Sequence, residues 1–245
     1  IYEVINKLAS EYSSTGFFDD KPEVLESLVN FEHVVTTYYR ENIADYVDTW
    51  CPYVSKYHSE EYFSNMLEQT EKGHGAWWYT CMSPKYPQPS YHVDDNLISS
   101  RAMSWMQMKY EIEGNLYWST TIYKKYSNGS YIARDVWNDP LSFAARDGAN
   151  GDGFLVYPGR KYGVDGPISS VRLESIREGM EDYEYLYVLD GLLRERGETL
   201  GLDIGVNDYV GQLYEMLFSG TIANTDVSNM DFAREEVAKL ILALK

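Results

Sequence analysis

Ala76-Trp77-Trp78-Tyr79-Thr80-Cys81, then a stretch from Ser99 to about Glu111, then Leu116-Tyr117-Trp118-Ser119-Thr120: this run decides the fold. The outer pieces are short, aromatic and β-branched, and read as strands. The middle piece carries Met103, Met106 and Tyr110 at helical spacing and stops at Gly114. A strand, a helix and a second strand imply two parallel neighbours joined by a right-handed crossover, in a sheet covered on both faces.

The alternation continues in both directions. His33-Val34-Val35-Thr36-Thr37 and Tyr46-Val47-Asp48-Thr49-Trp50-Cys51 read as strands, the second stopped by Pro52. Gly153-Phe154-Leu155-Val156-Tyr157, before Pro158-Gly159, reads as a fifth. Helices are expected from Asp20 to Leu28 with Pro22 in the first turn, from Glu60 to Glu71 up to Gly73, and from Ser169 to about Arg194. The stripe Leu173, Ile176, Met180, Tyr183, Leu186 and Leu193 marks the expected buried face of the last. Two more helices are expected near 206–218 and 229–244. Residues 124–151 form a long polar excursion, in which Asn128-Gly129-Ser130 fits a glycosylation sequon and is read as a turn. Val4, Ile5, Leu8 and Tyr12 fall at helical spacing with no cap before them, as if the chain opened within a longer protein. Five strands and such a start fit an α/β protein of the (β/α)8 TIM-barrel type, represented by the C-terminal part of the barrel over 1–197 and C-terminal helices over 198–245. An open doubly wound sheet fits less well, because no glycine-rich phosphate turn follows an early strand.

Composition narrows the function. A net charge of −17 and no basic cluster argue against nucleic acid. No apolar run approaches membrane length, and the first residues do not form a signal peptide. Cys51 and Cys81 are expected as buried free thiols. His33, His58, His74 and His92 make no zinc spacing, and no nucleophile elbow or phosphate loop is present, so no cofactor or metal is expected. The anomaly is aromatic content, 15% with 23 Tyr and 6 Trp. Rings with polar handles recur where proteins grip amphipathic ligands such as sugars.

A (β/α) barrel does its chemistry at the C-terminal ends of its strands. Those ends read Thr36-Thr37-Tyr38, Asp48-Thr49-Trp50, Trp77-Trp78-Tyr79-Thr80, Tyr117-Trp118-Ser119 and Tyr157-Pro158, with an aromatic at each. Asp48, Tyr79, Tyr117 and Ser119 supply polar groups beside the rings. A pair of catalytic carboxyl groups is not evident. Asp48 has no partner, Asp94-Asp95 reads as an N-cap, and Asp152 precedes its strand, at the wrong end of a barrel. Glu178, Glu181 and Asp182 read as a helix ion-pair network with Arg177.

The segments Gly151-Asp152-Gly153-Phe154-Leu155-Val156-Tyr157-Pro158-Gly159, Gly166 to Glu174 and Ile176 to Tyr185 resemble the C-terminal signature of glycoside hydrolase family 123. Val47 to Pro52, Trp77 to Cys81 and Gly114 to Ser119 are similar to that family's later barrel strands, in the same order. The resemblance implies a (β/α)8 barrel and a retaining β-N-acetylgalactosaminidase or related exo-hexosaminidase. It implies a substrate-assisted mechanism, in which an Asp orients the sugar's 2-acetamido group and the adjacent Glu serves as acid and base. The chain contains no Asp-Glu dipeptide, so the pair is expected before Ile1 and no catalytic residue is assigned. The wall positions implied are Trp50, Trp77, Trp78, Tyr79, Tyr117, Trp118 and Tyr157, with Asp48 beside them and Arg172 reaching a ligand or fixing Tyr157. The partner implied is a glycan ending in N-acetylhexosamine, with neither nucleic acid nor membrane. Open strand edges leave room for pairing with another copy. The rival reading is a non-catalytic carbohydrate-binding or structural module of the same fold.

Overall fold

The structure is a computed structural model and describes residues 7, 10–17, 19–29, 32–141 and 149–245. Most of the expected opening helix, including Val4, Ile5 and Leu8, lies outside the described residues.

Four strands form one parallel sheet in sequence order: β1 Val34–Val35, β2 Thr49–Trp50, β3 Gly75–Thr80 and β4 Gly114–Tyr117. The register pairs Val35 with Trp50, Trp50 with Ala76, and Trp78 with Asn115. Helix α1 (Pro22–Val29) precedes the sheet, α2 (Glu60–Glu71) links β2 to β3, and α3 (Leu97–Lys109) links β3 to β4. Ser59 caps α2 by accepting from Tyr62 N at 3.3 Å. Side chains alternate along β3, so Ala76, Trp78 and Thr80 are buried on one face, and Gly75, Trp77 and Tyr79 occupy the other, half-buried.

The fifth predicted parallel strand is corrected. β7 (Val156–Pro158) pairs antiparallel with β8 (Pro167–Ser169), and Phe154 bridges Thr121 in the antiparallel sense. A parallel neighbour requires a crossover, usually a helix. The described residues between 118 and 155 instead hold the hairpin β5 (Lys124–Ser127) and β6 (Ser130–Ala133), and Phe154 returns antiparallel to Thr121. The predicted turn at Asn128-Gly129 closes that hairpin, with φ of 49° and 82° at its two residues.

Helix α4 (Val171–Leu200) is longer than its pattern suggested; Leu186 and Leu193 of the expected stripe are buried and Leu173 and Ile176 pack against the core, so the one correction is at Met180. Met180 is exposed, and the buried line runs through Arg172, Gly179, Asp182, Leu186, Leu189, Leu193 and Gly197. The reason is close helix packing. A Cβ at Gly179 would stand 2.8 Å from the Arg101 carbonyl oxygen and 2.7 Å from Ser104 Oγ, so α3 and α4 meet over a glycine. Beside it, Asp182 is fully buried. Its carboxylate accepts from Arg101 Nε at 2.7 Å, Arg101 Nη2 at 3.1 Å and Trp105 Nε1 at 3.0 Å. Arg234 Nε, 3.4 Å away, comes from the last helix. After α4 come α5 (Val206–Tyr209), α6 (Gly211–Leu217), the small hairpin β9 (Phe218–Ser219) and β10 (Ile222–Ala223), and α7 (Val227–Leu244). The core joins Trp50, Ala76 and Trp78 of the sheet to Met103, Trp105 and Met106 of α3, Leu186 and Leu189 of α4, and Val237 of α7. Each fully buried large side chain contributes ~1.5–3 kcal/mol.

Replacing Asp182 by Ala leaves the Trp105 indole N–H and Arg101 Nε and Nη2 without their buried acceptor, while Arg101 keeps only Asp231 and Arg234 keeps Glu178 and Glu181. The expected loss is about 3–5 kcal/mol of unfolding free energy, read by urea denaturation. A midpoint unchanged from wild type would contradict the assignment.

Candidate functional site

In a parallel sheet every C-terminal end lies on the same edge, so the segments after β1 to β4 emerge together. Tyr53, just beyond β2, stacks on Tyr79 with ring centroids 4.3 Å apart and 29° between planes. Its hydroxyl lies 3.6 Å from Cys81 Sγ. Hydrogen bonding to Tyr79, then burial, pushes the Tyr53 phenol above its ordinary range. Cys51 is buried and its thiol is pushed up to about 12 by burial, whereas Cys81 is only half-buried; both are free.

Asp152 organises the end of β4. It is fully buried, and Oδ1 accepts from Trp118 Nε1 at 2.8 Å and from the Tyr117 hydroxyl at 3.2 Å. The Tyr117 oxygen accepts in turn from Gly153 N at 2.8 Å. Gly151 and Gly153, on either side, have φ of 80° and 86°. A Cβ at Gly153 would stand 2.6 Å from Trp118 Cζ2, and one at Gly151 2.6 Å from Arg172 Nη1. Glycine is therefore required at both, for conformation and for space. Burial raises the Asp152 carboxyl above its ordinary value, and burial with the nearby Asp152 charge raises Tyr117. Trp118 keeps part of its ring in solvent, at 38% exposure.

Arg172, in the first turn of α4, ties two of these segments together from behind. Nη1 donates to Tyr91 O at 2.6 Å and Gly151 O at 2.9 Å, and Nη2 donates to Phe154 O at 2.6 Å. Asp94 adds a lateral tie, accepting from Asn150 N and Nδ2, each at 2.7 Å. His92 is buried between them, and Nε2 donates to Cys81 O at 2.6 Å. Burial lowers its pKa, which favours the neutral ring. Beside His92 a cleft of about 440 Å³ opens, walled by Tyr157 and Trp137, whose rings lie 4.6 Å apart.

The predicted wall residues separate into distinct places. Tyr79, Tyr117, Trp118 and Tyr157 lie along the C-terminal edge and its loops. Trp50 and Trp78 are withdrawn: both are fully buried in the core between sheet and helices and have no ring face left for a ligand. Asp48 and Trp77 line a different cavity of about 570 Å³ with Glu32, His74 and Glu113, at the N-terminal edge. Asp48 precedes β2 rather than ending it and accepts from His33 N at 2.7 Å, because only Thr49–Trp50 is extended. Arg172 reaches Tyr157 only at 3.4 Å and spends its shorter bonds on carbonyls. Asp152, read as lying at the wrong end of a strand, sits at the C-terminal edge because the chain folds back there. Tyr53, His92 and Trp137 were also missed. The detectable signal for Asp152 was its flanking glycines, which mark a backbone needing positive φ around a placed side chain.

The edge is suited to binding rather than bond cleavage by itself. Asp95 accepts from Ser90 N, Asn96 N and the Ser90 and Ser99 hydroxyls, and Asp94 from Asn150, whereas Asp152 is bonded through Oδ1 alone and its buried Oδ2 has no hydrogen-bond partner. Among the described residues no group of three or more His, Cys, Asp or Glu is placed to hold a metal, and no helix is long and apolar enough to cross a membrane.

Folding favours the protonated Asp152 carboxyl, since its folded pKa lies above the unfolded value of 3.8. That contribution is fully present below the unfolded value and is lost as pH rises through the folded one. The Asp152→Asn variant, which lacks the ionisation, should gain stability relative to wild type between acid and neutral pH. Unfolding curves at several pH values test this, and a constant difference would refute it.

The family model for the glycoside hydrolase 123 catalytic domain matches residues 14–189. No curated protein matches the chain. Among solved structures, a family 123 glycoside hydrolase from Clostridium perfringens, from work on glycolipid glycan hydrolysis, superposes with a TM-score of 0.57 at 19% identity. The alignment covers 89% of this chain and 36% of that one, so the chain spans little more than a third of that protein's length and the likeness is one of fold. With the family model spanning most of its length, the chain belongs to the glycoside hydrolase 123 catalytic domain family.

Proposed function

We propose that the chain is the C-terminal part of a (β/α)8-barrel glycosidase acting on glycans that end in a β-linked N-acetylhexosamine, N-acetylgalactosamine foremost. The observation that carries this reading is the half-exposed Trp118 ring, held by the buried Asp152 at the C-terminal edge of a parallel sheet. Its indole N–H is fixed by Asp152, and the solvent-exposed part of the ring is suited to pack on the C–H face of a sugar.

The proposed reaction is retaining and substrate-assisted. The 2-acetamido oxygen attacks the anomeric carbon while an acid protonates the leaving oxygen, and water then opens the resulting oxazolinium ring with that same group as base. The family's consecutive Asp-Glu pair has no counterpart in residues 1–245, so the proposal places it on a segment preceding Ile1. That segment would pair with the open edge of β1 and continue the barrel. In this division of labour the present residues position the sugar and exclude water, and the upstream pair moves the proton.

Release of p-nitrophenol from its β-N-acetylgalactosaminide is the direct assay. Turnover is expected from a longer chain carrying the upstream segment and not from residues 1–245 alone. Sugar binding without turnover in either form would favour the rival reading, a non-catalytic carbohydrate-binding module. Trp118→Ala should weaken sugar binding roughly tenfold, the ~1.4 kcal/mol of one lost ring face.

A further inference from the structure

We infer that the cleft beside His92 is a second sugar subsite, which takes one neutral pyranose unit separately from the sugar held against Trp118. The inference rests on the carbohydrate reading above and concerns different residues.

The cleft is bounded by the 81–96 loop, the β7–β8 hairpin, Trp137 and the first turn of α4. Its volume of about 440 Å³ falls within the roughly 300–1,000 Å³ of small-molecule sites. Tyr157 and Trp137 form an aromatic wall, with Ile168 beside Tyr157 across the hairpin, and Val93 and Val171 add further apolar lining. Trp137 Nε1 donates to Pro158 O at 3.0 Å, so the indole is fixed and its ring is half-buried.

Two features call for a polar ligand. His92 is 2% exposed and lines the cleft, yet Nδ1 has no hydrogen-bond partner. Because Nε2–H is committed to the Cys81 carbonyl, Nδ1 is an acceptor awaiting a donor. Leaving such an atom buried and unpaired is unfavourable. The second feature is the start of a 30-residue helix. Ser170 Oγ takes Leu173 N, and the N–H groups of Val171 and Arg172 have no acceptor within the helix. The cleft thus presents an acceptor and donors within aromatic and apolar walls.

Charge excludes the other ligand classes. An anion would meet Asp95 in the wall and find no available cation there, because Arg172 is spent on three carbonyls. A cation would need a carboxylate, and Asp95 already accepts four hydrogen bonds. A purely apolar ligand would leave Nδ1 unpaired. A sugar ring is uncharged, has an apolar face for Trp137 and Tyr157, and carries hydroxyl or acetamido donors and acceptors at its rim.

Titration of the full chain with methyl β-N-acetylgalactosaminide, followed by NMR of the imidazole and indole nitrogens, tests this. Binding should shift His92 Nδ1 and the Trp137 indole. Trp137→Ala should weaken that event at least about tenfold while leaving the Trp118 response in place, and Trp118→Ala should do the reverse. Val171→Glu provides a check independent of core packing, since Val171 is exposed and glutamate suits a helix start. It should block the cleft and leave the fold and the Trp118 response intact. Shifts confined to Trp118 and indifferent to Trp137→Ala and Val171→Glu would overturn the second subsite and spare the proposed function. Silence at both places with millimolar sugar would overturn both.

Discussion

The C-terminal edge depends on one buried guanidinium. Arg172 lies in the first turn of α4, and its three short bonds run to carbonyls of two different segments, Tyr91 on one and Gly151 and Phe154 on the other. Hydrogen bonds to a charged group contribute about 1.5–3 kcal/mol each, enough to hold loops that carry little regular structure. The cost appears in the sequence as Gly151, the residue that lets the guanidinium approach. Without that clamp Asp152 would have no fixed position, and Trp118 and Tyr117 would lose the acceptor that orients them.

The sheet divides the remaining work. One face is sealed by α3 and α4, with Trp50 and Trp78 as its largest core side chains. Asp182 ties α3, α4 and α7 behind it through Arg101, Trp105 and Arg234. The other face holds Trp77 and Tyr79, half-buried, and the ends of the strands carry the loops. Stability therefore comes from the helix side, and the proposed function assigns recognition to the loop side, the arrangement expected of a parallel sheet. In the proposed function the Asp152 anchor serves geometry rather than proton transfer, since both of its contacts orient rings.

Much of the scaffold was legible in the residues. Helix α2 was expected over Glu60–Glu71 and is found there, and β3, β4 and α3 lie within a few residues of their expected places, because those segments carry strong periodicity and clear stops. The fifth strand was not legible as to direction. Phe154 to Tyr157 has strand composition whether it pairs parallel or antiparallel, and the deciding feature was a hairpin among the described residues of the preceding excursion. The apolar face of α4 was read correctly at Leu173, Ile176, Leu186 and Leu193 but not at Met180, because apolar spacing gives no weight to a glycine at a helix crossing or to a buried aspartate. The wall was partly misjudged for a related reason. Adjacent aromatics on a strand point to opposite faces, so Trp77 and Trp78 could not both meet one ligand. The resemblance to family 123 located the chain correctly, but a signature conveys which residues occur together and not which of them clamp and which bind.

The most direct test of the account is the position of a bound sugar. A crystal of the full chain soaked with N-acetylgalactosamine should show density against the Trp118 ring at the C-terminal edge, with Asp152 still bonded to its indole nitrogen. Density in the cavity of Asp48 and Trp77 at the opposite edge, with Trp118 bare, would contradict it.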